Sequence, residues 1–247
     1  MNKNIFILGG NSGIGKRITE LLVRNPDHKV FVLGRSEEKL RKLSKELHVE
    51  TFKVDITKKK DIYKLIQWIS KSKISVDVLI STAGIFTKKE LDLENVDTIE
   101  DIIDINFKGN TLLFKAFIPL LKKVKYSHLI YINSGMGLKP NAEKAIYSAS
   151  KWAMTGLMNS LEKELSRYKI KVTSIYPNKT NTFIFNEEID MSNAIEPTEI
   201  AKIVQFILGL DPKTVITNIS LKHIDHSSKA VFEKKAYDTT YILERKQ

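Results

Sequence analysis

The sequence predicts an α/β fold: one domain on a doubly wound parallel β-sheet with helices on both faces. Three observations carry that prediction. Short apolar runs of strand length alternate with longer segments of helical period, the pattern of successive β-α-β units. Several runs are continuously apolar, as in strands covered on both sides. A glycine-rich turn joins the first run directly to the first helical segment.

Taken in order, Ile5–Leu8 is the first strand, and Gly13–Arg24 is a helix with Ile14, Ile18, Leu21 and Leu22 on one face. Val30–Leu33 and the charged helix Glu37–Leu47 follow, then the short strand Thr51–Val54. Asp61–Ile69 is amphipathic through Ile62, Leu65, Ile66 and Ile69. Val76–Ile80 and Leu129–Ile132 have the length and composition of buried strands, with helical stretches between them to about Val124 that include Pro119. The helix Ala149–Arg167, the strand Lys171–Ile175, the helix Thr198–Leu208 and the strand Val215–Ile219 complete the series. The domain therefore covers 1–221, and 222–247 reads as a charged tail, either peripheral or partly disordered. No linker, low-complexity block or repeat divides the pattern.

Composition narrows the function classes. The 247 residues include no cysteine, which excludes thiolate metal sites and cysteine catalysis. No apolar run approaches the roughly 18–20 residues of a membrane span, and Ile5–Leu8 is too short for a signal-peptide core. A cytoplasmic protein with no membrane partner is expected. Of the 40 basic side chains behind the net charge of +11, the arginines are Arg17, Arg24, Arg35, Arg41, Arg167 and Arg245. Nucleic-acid readers lean on arginine forks and aromatic stacking, so scattered lysines read as solvated surface and no nucleic-acid partner is expected.

Two motifs carry chemistry. Gly9-Gly10-Asn11-Ser12-Gly13-Ile14-Gly15 lies between a strand and a helix, where glycines let backbone approach a pyrophosphate and the helix N-terminus offers free N–H groups. The second strand then ends in Gly34-Arg35-Ser36. An acidic residue there would accept from a ribose hydroxyl, whereas Arg35 can pair with a 2′-phosphate, so NADP(H) is expected over NAD(H). Tyr147 and Lys151 stand at i and i+4 of a helix. Ser134 follows the strand ending at Ile132, and Asn106 stands at the start of another helical segment.

In this order and spacing, Gly9-x-x-x-Gly13-Ile14-Gly15, Ser81-Thr82-Ala83-Gly84, Asn106, Ser134 and Tyr147-x-x-x-Lys151 resemble the short-chain dehydrogenase/reductases over about residues 4–220. The resemblance implies a Rossmann sheet of seven parallel strands with three helices on each face. It implies Tyr147 as general acid toward a carbonyl oxygen and Lys151 as the cation that supports its phenolate and holds the nicotinamide ribose. Ser134 would donate to the substrate oxygen, and Asn106 would keep a water beside Lys151. NADPH would supply the hydride. Asp55 with Ile56 would meet the adenine, Ala83 and Gly84 the adenosine ribose, and Pro177 and Thr182 the nicotinamide carboxamide.

The sequence departs from the family pattern at Leu8, in place of threonine, and at Ser81, in place of asparagine. Asn178 follows Pro177 where glycine is usual; asparagine tolerates a positive φ. Lys222-His223-Ile224-Asp225-His226 replaces the common Asp-Gly-Gly motif, leaving a tetramer open. The family's dimer helices correspond to about 105–124 and 149–167, where Phe107, Leu112, Leu113, Trp152, Met154, Leu157 and Met158 supply apolar material, so a homodimer is expected. His28, His48, His128, His223 and His226 read as surface residues, and no metal site is expected. Tyr176, Phe183 and Phe185 surround the loop that covers substrate in the family, and Asn181–Ala194, with Asn186, Glu187, Glu188 and Asp190, would select it. The expected substrate is a carbonyl on a small molecule, a carrier or a peptide. The contrasting reading is a dinucleotide-binding regulator or scaffold that retains the site without turnover.

Overall fold

The computed structural model describes residues 2–182 and 191–225. Phe183, Phe185, Asn186, Glu187, Glu188, Asp190 and His226, and the tail beyond Asp225, lie outside the described residues. The strands are β1 (Lys3–Leu8), β2 (His28–Gly34), β3 (Glu50–Lys53), β4 (Val78–Ser81), β5 (His128–Ile132), β6 (Lys171–Pro177) and β7 (Asn218–Leu221). They form one seven-stranded sheet in the order β3-β2-β1-β4-β5-β6-β7, with every pair parallel. The direction of winding reverses between β1 and β4, and ligands of doubly wound sheets bind at the carboxyl ends of such strands.

Side-chain alternation along the strands makes two cores. Phe6, Leu8, Phe31 and Leu33 point to one face, packed against α3 (Lys59–Lys71), α5 (Asn110–Leu121) and α6 (Ala145–Ser166) through Leu65, Phe117 and Met154. Ile5, Ile7, Val30 and Val32 point to the other, against α1 (Gly13–Leu22), α2 (Glu37–Leu47) and α7 (Pro197–Gly209). Phe6 stacks on Phe31 at 4.6 Å and meets Phe117 edge-on at 5.7 Å, so the first two strands and α5 are locked in one aromatic cluster. No helix among the described residues is long and apolar enough to cross a membrane.

Several elements differ from the sequence reading in ways that bear on the site. Helix α6 starts at Ala145, four residues before the expected start, which puts Tyr147 in its first turn. Lys144 precedes that helix without a side-chain cap, so no capping residue marks the boundary in the sequence. Strand β7 runs over Asn218–Leu221 rather than 215–219. The residues before it already follow β6, but Ile216 O accepts from the Thr173 side chain at 2.6 Å in place of a ladder bond. Asn106 lies inside a helical stretch, not at its start. α4 (Val96–Ile102) passes into α5 through a wider π-helical segment, Ile103–Gly109, with Asn106 at its centre. His128 is also corrected: it is 2% exposed and its Nε2 pairs with Thr173 Oγ1 at 2.8 Å. Burial, with Lys171 and Lys3 adding to it, lowers its pKa to about 3, so this histidine is a neutral part of β5.

Candidate active site

Where β1 ends, the chain turns back on glycines. Gly9 has φ +77° and Gly13 φ +48°, the left-handed region that disfavours side chains. A Cβ on Gly15 would lie 2.2 Å from Gly9 O, so α1 can start against the turn only without a side chain there. Ser12 precedes α1 and makes no side-chain cap. The first-turn N–H groups and positive helix end are thus left for an anion.

A cleft of about 230 Å³ opens from this turn. Gly9, Asn11 and Ser12 line it from β1, and Arg35 and Ser36 from β2. Asp55 and Ile56 follow β3, and Ala83 and Gly84 follow β4. Gly34 makes room for Asn11, whose Oδ1 would lie 2.9 Å from a Cβ at that position. Ser36 Oγ accepts from Lys39 N at 3.3 Å and caps α2. Lys39 lines the same cleft, a second cation beside Arg35 that the sequence reading missed. The Asp55 carboxylate accepts from Thr57 Oγ1 at 2.7 Å and Thr57 N at 3.1 Å. Burial raises its pKa, but these bonds, with Lys58 and Arg35, outweigh burial and hold it below the usual value. The glycine cradle, the uncapped helix end and the two cations fit a phosphate-bearing dinucleotide.

A second cleft, of about 380 Å³, continues past Gly84. Ile14, Ser134, Tyr147, Lys151, Pro177 and Thr182 all line it. Tyr147 is 7% exposed and Lys151 4%. The Tyr147 ring meets Phe86 edge-on at 4.9 Å, and Lys151 Nζ lies 5.7 Å from the ring centre. Burial pushes the Tyr147 phenol up to about 12, with a hydrogen bond from Ser134 opposing it. Burial lowers Lys151 to about 7. Ser134 Oγ also accepts from Met136 N at 3.2 Å, which fixes the turn after β5. Thr182 reaches the glycine turn: a Cβ on Gly13 would lie 3.6 Å from its methyl group.

Asn106 holds the loop after β4. Its Oδ1 accepts from Ile85 N at 2.8 Å, and its Nδ2 donates to Ile85 O at 2.9 Å and Ser150 Oγ at 3.1 Å. A Cβ on Gly84 would sit 3.2 Å from Asn106 Oδ1 and 3.3 Å from Lys151 Nζ. Gly84 is therefore where both side chains and both clefts meet.

Further residues of the site were not singled out from sequence. Tyr131, fully buried in β5, accepts a hydrogen bond from Lys151 Nζ at 3.1 Å. A buried strand tyrosine reads as ordinary core, so no local signal marks it. Asn110, buried in α5, accepts from Ser81 Oγ at 2.5 Å and donates to Ala83 O, Ile105 O and Asn106 O. It ties the β4 loop to the π-helical turn. The departure at Leu8 is met by Thr82, whose hydroxyl donates to Leu8 O at 2.9 Å. Asn178 is not among the residues with positive φ. It packs on Gly135, where a Cβ would collide with Asn178 Oδ1 at 1.8 Å.

Of the seven apolar residues assigned to dimer helices, Leu113, Met154 and Met158 belong to the chain's own core. Phe107, Leu112 and Leu157 are partly buried against that core, and Trp152 is 48% exposed.

Known proteins resemble the chain in sequence and in fold. An uncharacterized oxidoreductase of Staphylococcus aureus is 33% identical over 221 residues, spanning 88% of this chain and 95% of that protein. One from Staphylococcus saprophyticus is 28% identical over 230 residues, 90% and 98% of the two chains. Among solved structures, an alcohol dehydrogenase from the archaeon Thermococcus sibiricus complexed with 5-hydroxy-NADP superposes with a TM-score of 0.81. It is 22% identical and the match covers 91% of this chain and 97% of that one. A 3-ketoacyl-(acyl-carrier-protein) reductase from Brucella melitensis complexed with NADH also gives 0.81 at 22% identity, covering 90% and 97%. The short chain dehydrogenase family model matches residues 3–193, and with the relatives above it establishes that the chain belongs to the short-chain dehydrogenase family of oxidoreductases.

Proposed function

We propose that the protein is an NADPH-dependent reductase that converts a ketone or other carbonyl to an alcohol, reversibly. The observation that carries this reading is the convergence of Ser134, Tyr147 and Lys151 on one cleft that joins the glycine cradle at Gly84. Gly9 and Asn11–Gly15 would hold the pyrophosphate, and Arg35 and Ser36 the 2′-phosphate. Asp55 and Ile56 would meet the adenine, Ala83 and Gly84 the ribose beside it, and Pro177 and Thr182 the carboxamide. NADPH, when bound, supplies the hydride.

The protein's own work is acid catalysis and orientation. Tyr147, protonated over the whole physiological range because its pKa lies near 12, donates its proton to the carbonyl oxygen. Ser134 donates a hydrogen bond to the same oxygen and places it against the phenol. The Lys151 ammonium stabilises the phenolate left behind and holds the nicotinamide ribose. Asn106 fixes the Ile85 backbone and thereby the loop after β4 that borders the cofactor cleft. A homodimer through α5 and α6, with Trp152 at its centre, is part of the same proposal, and sedimentation of the purified chain tests it. The test of the activity is NADPH oxidation over a panel of ketones, with NADPH and NADH binding measured in parallel. Binding without turnover on any carbonyl would instead favour a regulator that retains the cofactor site.

A further inference from the structure

The catalytic cleft is lined by lysines besides Lys151. Its described lining includes Lys88, Lys144 and Lys179 beside Asn141 and Asn178, and no carboxylate. Lys144 is the residue before α6, three positions ahead of Tyr147, and its side chain lines the same cleft as Tyr147, Ser134 and Lys151.

The backbone around Lys144 is held in place. Glu143 has φ 58°, an uncommon conformation for a non-glycine residue, and its carbonyl accepts from Lys89 N at 2.6 Å. Its carboxylate pairs with Lys88 at 3.5 Å, joining the segment after β4 to the one before α6. Lys144 itself has no carboxylate at ion-pair distance among the described residues. It is half-buried, and burial followed by the charge on Lys88 lowers its pKa, against the pull of Glu143. An anion in the cleft would relieve both effects.

Resting on the reductase reading, we infer that the substrate is a small anionic carbonyl compound whose carboxylate or phosphate lies a few bonds from the carbonyl and is held by Lys144 with Lys88. The anionic group is unchanged by the reaction. It sets which end of the molecule approaches Tyr147 and Ser134, so Lys144 is a specificity residue and takes no part in proton transfer.

Two matched pairs test this with NADPH: acetoacetate against methyl acetoacetate, and dihydroxyacetone phosphate against dihydroxyacetone. The expected result is a kcat/KM at least about tenfold higher for the anionic member of one pair; which pair responds decides between carboxylate and phosphate. Lys144→Met should raise the KM for that anion about tenfold or more while kcat stays within about threefold. Lys202→Met, an equal change in net charge at an exposed side chain of α7, should leave the preference intact, which separates a local site from the overall charge of +11. No preference for either anion, or a Lys144→Met loss that is equal for both members of a pair, overturns the inference.

If no compound is turned over, acetoacetate and glycerol phosphate are titrated into the protein–NADPH complex by fluorescence. Saturable binding that Lys144→Met abolishes keeps the anion site and overturns the reductase reading. Binding of NADPH with no saturable binding of either anion overturns the anion site.

Discussion

On the β1–β2–β3 side of Gly84 the cleft is built on a glycine turn, with glycines at left-handed φ and a helix end without a side-chain cap. On the β5–β6 side it is walled by buried ionisable side chains, Tyr147 and Lys151, supported by Tyr131 and Asn106. The first half would bind through backbone geometry and, at Arg35 and Lys39, through exposed charge. The second works through protonation states that burial has moved far from their usual values. Variants in the two halves should therefore fail differently, one in affinity and the other in rate. Tyr147→Phe should lower kcat about a thousandfold, within the range for loss of a general acid, and leave NADPH affinity within about threefold. Gly13→Val, which forces a β-branched residue to φ +48°, should remove detectable NADPH binding while the fold persists by circular dichroism. Near-normal turnover in Tyr147→Phe would take Tyr147 out of the mechanism.

Arg35→Ala sharpens the contrast inside the first half. Loss of a charge-assisted bond of about 1.5–3 kcal/mol should weaken NADPH about 10- to 100-fold and leave NADH unaffected. An equal loss for both dinucleotides would mean that Arg35 holds something other than the 2′-phosphate.

The same contrast explains what was legible in the sequence. The glycine turn is visible because the conformations it needs are nearly exclusive to one residue type and fall within seven positions. The alternation of strand and helix is visible because two-sided burial imposes a composition. Tyr131 and His128 are not visible, since a strand residue whose polar atom meets a partner far along the chain has the same local pattern as plain core. The π-helical turn around Asn106 escapes for a related reason: its residues keep a helical pattern, and the bonds that Asn106 and Asn110 make to the loop after β4 are contacts in space. The exchange of Thr82 for the missing hydroxyl at position 8 is likewise a contact in space. Three of the residues assigned to a dimer face proved to be core, because on a helix between a sheet and its neighbours apolar content alone does not say which surface it meets.

Tyr131→Phe probes the support of the catalytic half. It keeps the edge-on packing on Phe114 at 6.0 Å and removes the hydroxyl that Lys151 donates to. Losing that acceptor destabilises the ammonium, so the Lys151 pKa should fall below its present value of about 7. A fall of one unit depletes the ammonium about tenfold at pH 8 but only about twofold at pH 6. The expected loss of kcat is about tenfold at pH 8, one pKa unit's worth, and much smaller at pH 6. A loss that is the same at both pH values would assign Tyr131 to packing alone.

The smallest effect expected is on stability, and it has the opposite sign. Lys151 titrates near 7 in the folded chain against a usual value of 10.5 because its ammonium is desolvated without a carboxylate beside it. Between those two values the unfolded chain binds more protons than the folded one, so this residue makes stability rise with pH across that window. Its burial therefore costs the fold most at and below neutral pH. Lys151→Met, which fills the same space without the charge, should be more stable than the parent at pH 7 by about 1 kcal/mol, or about 2–4 °C in Tm for a chain of this size. The hydrogen bond lost to Tyr131 keeps the gain small, and the advantage should shrink as pH rises toward 10. A Lys151→Met protein that melts below the parent at pH 7 would show that the ammonium is compensated within the fold. The lysine would then be supported by its surroundings, and the contrast between a geometric half and an electrostatically costly half would fail at its central residue.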